Sequence, residues 1–179
     1  MVSDASRQRF GGLFRSIDRN GDGFVDADDY ELAVASLAQG RNLQPGSPEY
    51  DDIRMKVMRG WEELREVSDT DGDGRVAQDE YVEYLAALTD SPEGVDRIRD
   101  IADQMITAMD SDGDGRLDLE EFAGMMGAWG AAADKAEALF RHIDTDADGF
   151  VTRDELLASM RGFFFDADPN APHLYGGLE

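Results

Sequence analysis

Apolar residues in this chain fall in short helical stripes that stop at polar, glycine-containing gaps and then resume. Phe10, Leu13, Phe14 and Ile17 form one stripe, Ile53, Val57, Trp61 and Leu64 a second, and Ile98, Ile101, Ala102, Met105, Ile106 and Met109 a third. Beyond the gaps come Leu32, Ala33 and Leu37, then Tyr81, Tyr84, Leu85 and Leu88, then Phe122, Met125, Met126 and Trp129. Spacings of three and four place each set on one helix face, so the pattern predicts an all-α fold of helix-loop-helix units, four in number. The Gly- and Pro-containing stretch from 39 to 48 reads as a linker, with Ser47 capping a new helix and Pro48 at its first position. Ser91 and Pro92 are expected to repeat that device. The resulting division is an N-terminal half, 1–90, a C-terminal half, 91–165, and a tail, 166–179. Gly11, Gly12 and Gly60 interrupt helical patterns, each at about 1 kcal/mol relative to alanine. A close helix contact near Trp61 is one reading of Gly60, and a tolerated weak spot is the other.

The gaps carry the chemistry. Each contains a twelve-residue segment, 18–29, 69–80, 110–121 or 144–155, with oxygen-bearing side chains at positions one, three and five. Those residues are Asp18, Asn20 and Asp22, then Asp69, Asp71 and Asp73, then Asp110, Asp112 and Asp114, then Asp144, Asp146 and Asp148. Glycine follows at position six, an aliphatic residue stands at eight, and an acid closes the segment at twelve: Asp29, Glu80, Glu121 and Glu155. A hard divalent cation takes six to eight oxygens around one point, several of them anionic. Alternate side chains supply three, the carbonyl at position seven (Phe24, Arg75, Arg116 or Phe150) supplies another, and the closing acid reaches back with the rest.

This pattern resembles the EF-hand, D-x-[DN]-x-[DN]-G with a closing acid, and each copy matches at six or more positions. The loop spacings and the C-terminal extension narrow the resemblance to the sarcoplasmic calcium-binding proteins and their calerythrin-like relatives. The resemblance implies reversible calcium binding by up to four sites, loops joined in pairs through a short antiparallel bridge at position eight, and both pairs packed into one compact body. Position eight holds Val25, Val76, Leu117 and Val151, residues suited to strand pairing, so loop one is expected to pair with two and three with four. By the same resemblance the tail after Phe163, Phe164 and Phe165 would fold over apolar surface through Leu174 and Tyr175. Members of that group commonly have a degenerate second unit, whereas Asp69, Asp71, Asp73, Gly74 and Glu80 keep every principal residue here.

The four loops are unequal. Neutral Asn20 and the shorter Asp29 weaken calcium capture in loop one, and one-oxygen closure favours the smaller Mg²⁺ there, unless contraction of the loop compensates. Position nine varies as Asp26, Ala77, Asp118 and Thr152. Asp118 is expected to order a coordinating water, which Ala77 cannot do, and loop three is expected to bind most tightly.

Composition fits this reading. The net charge of −23 over 179 residues has an address: twenty-one of the forty acids lie inside the loops, leaving nineteen outside against seventeen Lys and Arg. Four calcium ions would bring −23 to −15, and self-repulsion without them makes binding energy into folding energy. So acidic a chain is a poor partner for nucleic acid. No apolar run approaches the length of a membrane span, the first ten residues hold no apolar export segment, and Val2 does not fit the myristoylation pattern, so the expected location is cytoplasmic, without membrane attachment. Cysteine is absent. His142 and His173, the only histidines, form no nucleophile-base set with neighbours in sequence, and a non-enzymatic, monomeric protein is expected.

Two roles share the chemistry. A buffer stays closed, whereas a sensor exposes a Met-rich groove to an unidentified protein target. The chain has eight methionines, among them Met55, Met58, Met105, Met109, Met125, Met126 and Met160, but at helical spacing they read as core, so buffering is the expectation. A third reading, chromophore binding as in calcium-triggered photoproteins and luciferin-binding proteins, rests on similarity of architecture.

Overall fold

The computed structural model describes residues 4–165. Eight helices and one two-stranded ribbon make up these residues, and the backbone divides into two units, one up to Leu88 and one from Thr89 onward. The tail residues Leu174 and Tyr175 lie outside the described residues.

In the first unit, α1 (Asp4–Ile17) leads through loop one to β1 (Phe24–Val25) and α2 (Ala27–Gly40); α3 (Pro48–Ser68) leads through loop two to β2 (Val76–Ala77) and α4 (Gln78–Asp90). The strands pair antiparallel with Val25 opposite Val76 and Phe24 opposite Ala77, so position eight of loop one meets position eight of loop two. Both valines are fully buried, which ties the loops to the apolar stripes beneath them. Those stripes meet: Phe14 lies against Tyr81 at 5.9 Å between ring centroids, and Tyr30 against Trp61 at 5.7 Å. α2 and α3 are neighbours, and Glu31 pairs with Arg54 across them. Ser47 accepts a hydrogen bond from the Tyr50 N–H at 3.2 Å, with Pro48 at the first turn of α3, so that helix starts as its sequence predicts. Gly60 has only Tyr30 near its would-be Cβ, at an ordinary 3.8 Å. Close approach therefore does not require glycine there.

The second unit contains α5 (Gly94–Met109), α6 (Leu119–Ala128), α7 (Ala133–Ile143) and α8 (Arg153–Phe165). Leu117 and Val151, position eight of loops three and four, form one antiparallel bridge with N–H to carbonyl distances of 2.9 and 2.8 Å. Beneath it Phe122 and Phe140 meet edge to face at 5.6 Å, and Ile98, Ile106, Met125, Leu156 and Met160 are fully buried. α5 packs on α8 and α6 on α7. Its start corrects the expectation at Ser91. α4 continues to Asp90, a short turn follows in which the Gly94 N–H donates to the Ser91 carbonyl, and α5 begins at Gly94 with no side-chain cap from Glu93. With α4 running to Asp90, residues 91–93 form that turn, and Pro92 lies within it rather than in the first turn of α5.

Candidate metal centres

Loops one to three share one set of internal hydrogen bonds, which turn the first acid inward; loop four varies it, the N–H on Asp144 Oδ1 coming from Asp148 at position five, at 3.1 Å. In loop three the Gly113 N–H donates to Asp110 Oδ1 at 2.6 Å and the Gly115 N–H to Oδ2 at 2.8 Å. Further along, the Asp114 N–H donates to Asp112 and the Arg116 N–H to Asp114, at 3.0 and 2.8 Å. Each acid at positions one, three and five thus receives a backbone N–H a few residues ahead, and the chain is wound around a common centre. The same ladder runs through Asp18, Asn20 and Asp22, through Asp69, Asp71 and Asp73, and through Asp144, Asp146 and Asp148. The winding needs a left-handed residue at position six, where Gly115 sits at φ +84° and Gly149 at +90°. In loop four position four is also left-handed, and there Ala147 takes φ +58° where the other loops have glycine.

The closing acids come from the first turn of each exiting helix. Glu121 Oε1 accepts from the Ser111 N–H at 2.6 Å and from its hydroxyl at 2.7 Å, while Oε2 accepts from the Asp118 N–H at 3.2 Å. Glu80 is held by the N–H and hydroxyl of Thr70 and by the N–H groups of Asp71 and Ala77. Glu155 is held by Thr145 and Thr152 in the same way. In loop one the shorter Asp29 makes the corresponding bonds, Oδ1 from Arg19 and Asn20 at 2.8 and 3.1 Å, Oδ2 from Asp26 at 2.9 Å. Asp29 therefore reaches the same backbone donors despite its missing methylene.

Two features went unseen in the sequence. Position two of loops two to four is Thr70, Ser111 or Thr145, and its hydroxyl donates to the closing glutamate; loop one has Arg19 instead. The signal was present as a repeated hydroxyl, but only the folded loop shows what it faces. Position nine is the helix N-cap. Asp26 and Asp118 each accept a bond from the first turn of the helix and form a reciprocal capping box with Asp29 and Glu121, so Asp118 serves its helix as well as its loop. Thr152 accepts weakly from the Glu155 N–H at 3.3 Å, and Ala77 has no side-chain group to offer.

Electrostatics separate loop one from the rest. Desolvation pushes the Asp29 carboxyl above its ordinary range, and the three backbone bonds only partly oppose that. Desolvation acts upward on Glu80 and Glu155 too, but there the bonds from Ala77, Thr70 and Asp71, or from Thr152 and Thr145, outweigh it and the carboxyl falls below its ordinary range. Asp110 is likewise lowered, burial being outweighed by the N–H groups of Gly115, Gly113 and Asp114. Among the described residues, carboxylate groups with oxygens within 4.8 Å of one another occur in loop two (Asp69, Asp71, Asp73), loop three (Asp110, Asp112, Glu121) and loop four (Asp144, Asp146, Glu155). Oxygen-only donors, converged and largely anionic on a loop that has wound itself inward, suit a hard divalent ion of calcium's class.

A description of the EF-hand domain pair matches residues 66–127, which contain loops two and three, and an EF-hand description matches 12–34 and 136–160, which contain loops one and four. The chain belongs to the EF-hand family. It binds calcium through loops of this type. Among relatives, calerythrin of Saccharopolyspora erythraea is 22% identical over 169 residues, covering 92% of this chain and 93% of that one. The rice (Oryza sativa subsp. japonica) protein named "Probable calcium-binding protein CML11" is 29% identical over 159 residues, 86% of this EF-hand chain and 66% of that protein's length. The calcium-loaded apo coelenterazine-binding protein of Renilla muelleri shares the fold with a TM-score of 0.81 at 24% identity, over 98% of this chain and 99% of that one. No helix among the described residues is long and apolar enough to cross a membrane.

Proposed function

We propose that this protein is a non-enzymatic calcium buffer that takes up to four ions, with loops two, three and four as its calcium sites and loop one as its weakest, magnesium-tolerant site. The observation that carries this reading is the convergence of three carboxylates in each of loops two to four. Bound calcium supplies charge neutralisation and a fixed centre; the chain supplies the oxygens. Side-chain oxygens would come from positions one, three, five and twelve, and a carbonyl from Phe24, Arg75, Arg116 or Phe150. Loop one has neutral Asn20 and a buried Asp29 whose charged form is disfavoured, which supports placing it last. Calorimetric calcium titration in physiological magnesium tests the reading: three calcium-filling sites and a fourth that fills weakly or only after magnesium leaves are expected. No heat beyond one site would overturn it.

Burial of methionine supports a buffer over a sensor. Met109, Met125, Met126 and Met160 are all at most 6% exposed and pack as core, whereas Met55 alone among the described methionines is strongly exposed, at 63%. A calcium-dependent rise in binding of an apolar dye would instead favour a sensor that presents a groove to a protein partner. Similarity of fold to a coelenterazine-binding protein keeps a ligand-carrying role testable by the same preparation: tight, stoichiometric uptake of coelenterazine would replace buffering as the main function.

A further inference from the structure

The side chains at position seven form an arrangement separate from the carbonyls beside them. In the first pair the Arg75 guanidinium lies over the Phe24 ring at 3.9 Å from its centroid, and in the second pair Arg116 lies over Phe150 at 3.7 Å. Each contact runs from an inner loop to an outer one, next to the bridge at position eight. Arg116 also faces two carboxylates. Its Nη2 donates to Asp114 Oδ2 at 3.0 Å, and its Nη1 lies 3.9 Å from Asp148 Oδ2. Asp114 and Asp148 stand at position five of loops three and four, so one guanidinium meets an acid of each loop while the ring of Phe150 fixes its plane. Arg75 makes only the first of these contacts, to Asp73 at 3.2 Å.

We propose that Arg116 is an internal cation that lowers the calcium affinity of loops three and four and links their filling. This rests on the calcium-binding reading of those loops. A guanidinium and a divalent ion draw on the same two acids, and they repel each other. Because one group opposes both loops, displacing it for the first ion removes the opposition to the second, and the two sites become positively coupled. Arg75, facing one acid, lowers affinity without linking two loops in this way. The guanidinium is part-exposed, which confines the effect to the range of partly solvated charge pairs.

The test follows the amide signals of Gly115 and Gly149 by NMR during calcium titration of the full chain, so that loops three and four are read separately. Arg116→Gln is expected to tighten both by about two- to fivefold and to lower their cooperativity, an effect that shrinks between about 0.1 M and 1 M salt. Arg116→Lys, which keeps the charge, should stay nearer the parent protein. Phe150→Leu keeps the loop-four carbonyl but removes the platform, and should give part of the Gln effect. Unchanged or weakened binding in Arg116→Gln, unchanged cooperativity, or identical behaviour of the Lys and Gln variants would overturn the proposal. If neither glycine responds to calcium in the parent protein, the calcium-binding reading of this pair fails. If both respond and Arg116→Gln titrates identically, only the role of Arg116 fails.

Discussion

Loops one and three close on their exiting helices through the same backbone donors, at positions two and nine, yet the two closing acids differ in burial and in side-chain partners. Asp29 is completely buried, carries no hydroxyl partner, and has its charged form disfavoured by desolvation. Glu121 is 8% exposed and gains the Ser111 hydroxyl as a further donor. One methylene thus matters less for reach than for what surrounds the carboxylate. Asp29 still touches the right backbone groups, but it does so shut off from water.

The largest test of this comparison removes metal and closing acids together. Withdrawal of calcium should lower the thermal midpoint by about 10 °C or more, since two or more well-filled sites add several kcal/mol and about 2–4 °C follow from each in a chain this size. Glu121→Gln should forfeit more of that calcium-dependent gain than Asp29→Asn. Equal losses in differential scanning calorimetry would make the two loops equivalent and break the comparison.

The position-two hydroxyl gives the next test. Ser111→Ala removes a donor that orients a proposed ligand, and partners of that kind are worth about 10- to 100-fold in metal affinity. A loss near the lower end, about tenfold at loop three, is expected by calorimetry. The converse substitution Arg19→Thr should strengthen loop one, because it installs the hydroxyl found at that place in Thr70 and Thr145. Should Arg19→Thr leave loop one unchanged, the deficit there lies with Asn20 and Asp29 alone.

These partners show where reading the chain succeeds and where it stops. The bridges Val25–Val76 and Leu117–Val151 followed from the resemblance, whereas helices, loops and the Ser47 cap were legible because each is specified by neighbours within a few positions. The EF-hand pattern is legible for the same reason: ligand chemistry imposes a fixed spacing. The hydroxyl of Ser111 on Glu121 and the guanidinium of Arg116 between Asp114 and Asp148 were not, since both depend on which side chains a ten-residue or longer return brings together. Ser91 misled because the same Ser-Pro pair caps a helix after a free linker but becomes a turn when α4 runs up to Asp90.

Loop four offers a smaller, structural contrast with loop three. Ala147 holds a left-handed φ of +58° where loop three has Gly113, and a Cβ in that region is strained by roughly 1–2 kcal/mol. Glycine would relieve the strain while adding about 0.5–1 kcal/mol of unfolded-chain freedom. Ala147→Gly should therefore stabilise by about 0.5–1 kcal/mol in urea unfolding of the calcium-depleted protein. Destabilisation would mean that loop four accommodates alanine without strain.

The smallest effect is a difference in pH slopes. In calcium-depleted protein the raised Asp29 favours the folded state when protonated, so its contribution is full below the unfolded value, about 3.9, and is lost as pH rises through the higher folded value. Glu80 and Glu155 behave oppositely. Their lowered carboxyls contribute above the unfolded value, about 4.3, and that stability is lost as pH falls through the folded value. Charge relief across so acidic a chain affects parent and variants alike and cancels when each variant is compared with the parent. On acidification from neutral pH to about 4, the parent protein should therefore gain stability relative to Asp29→Asn. Against Glu80→Gln or Glu155→Gln it should hold level from neutral pH to about 5 and lose ground as pH falls further, through the unfolded value of about 4.3 towards the lower folded one. Parallel slopes for all three variants would place Asp29 in the same electrical setting as the glutamates, and the inequality of loop one would then rest on Asn20.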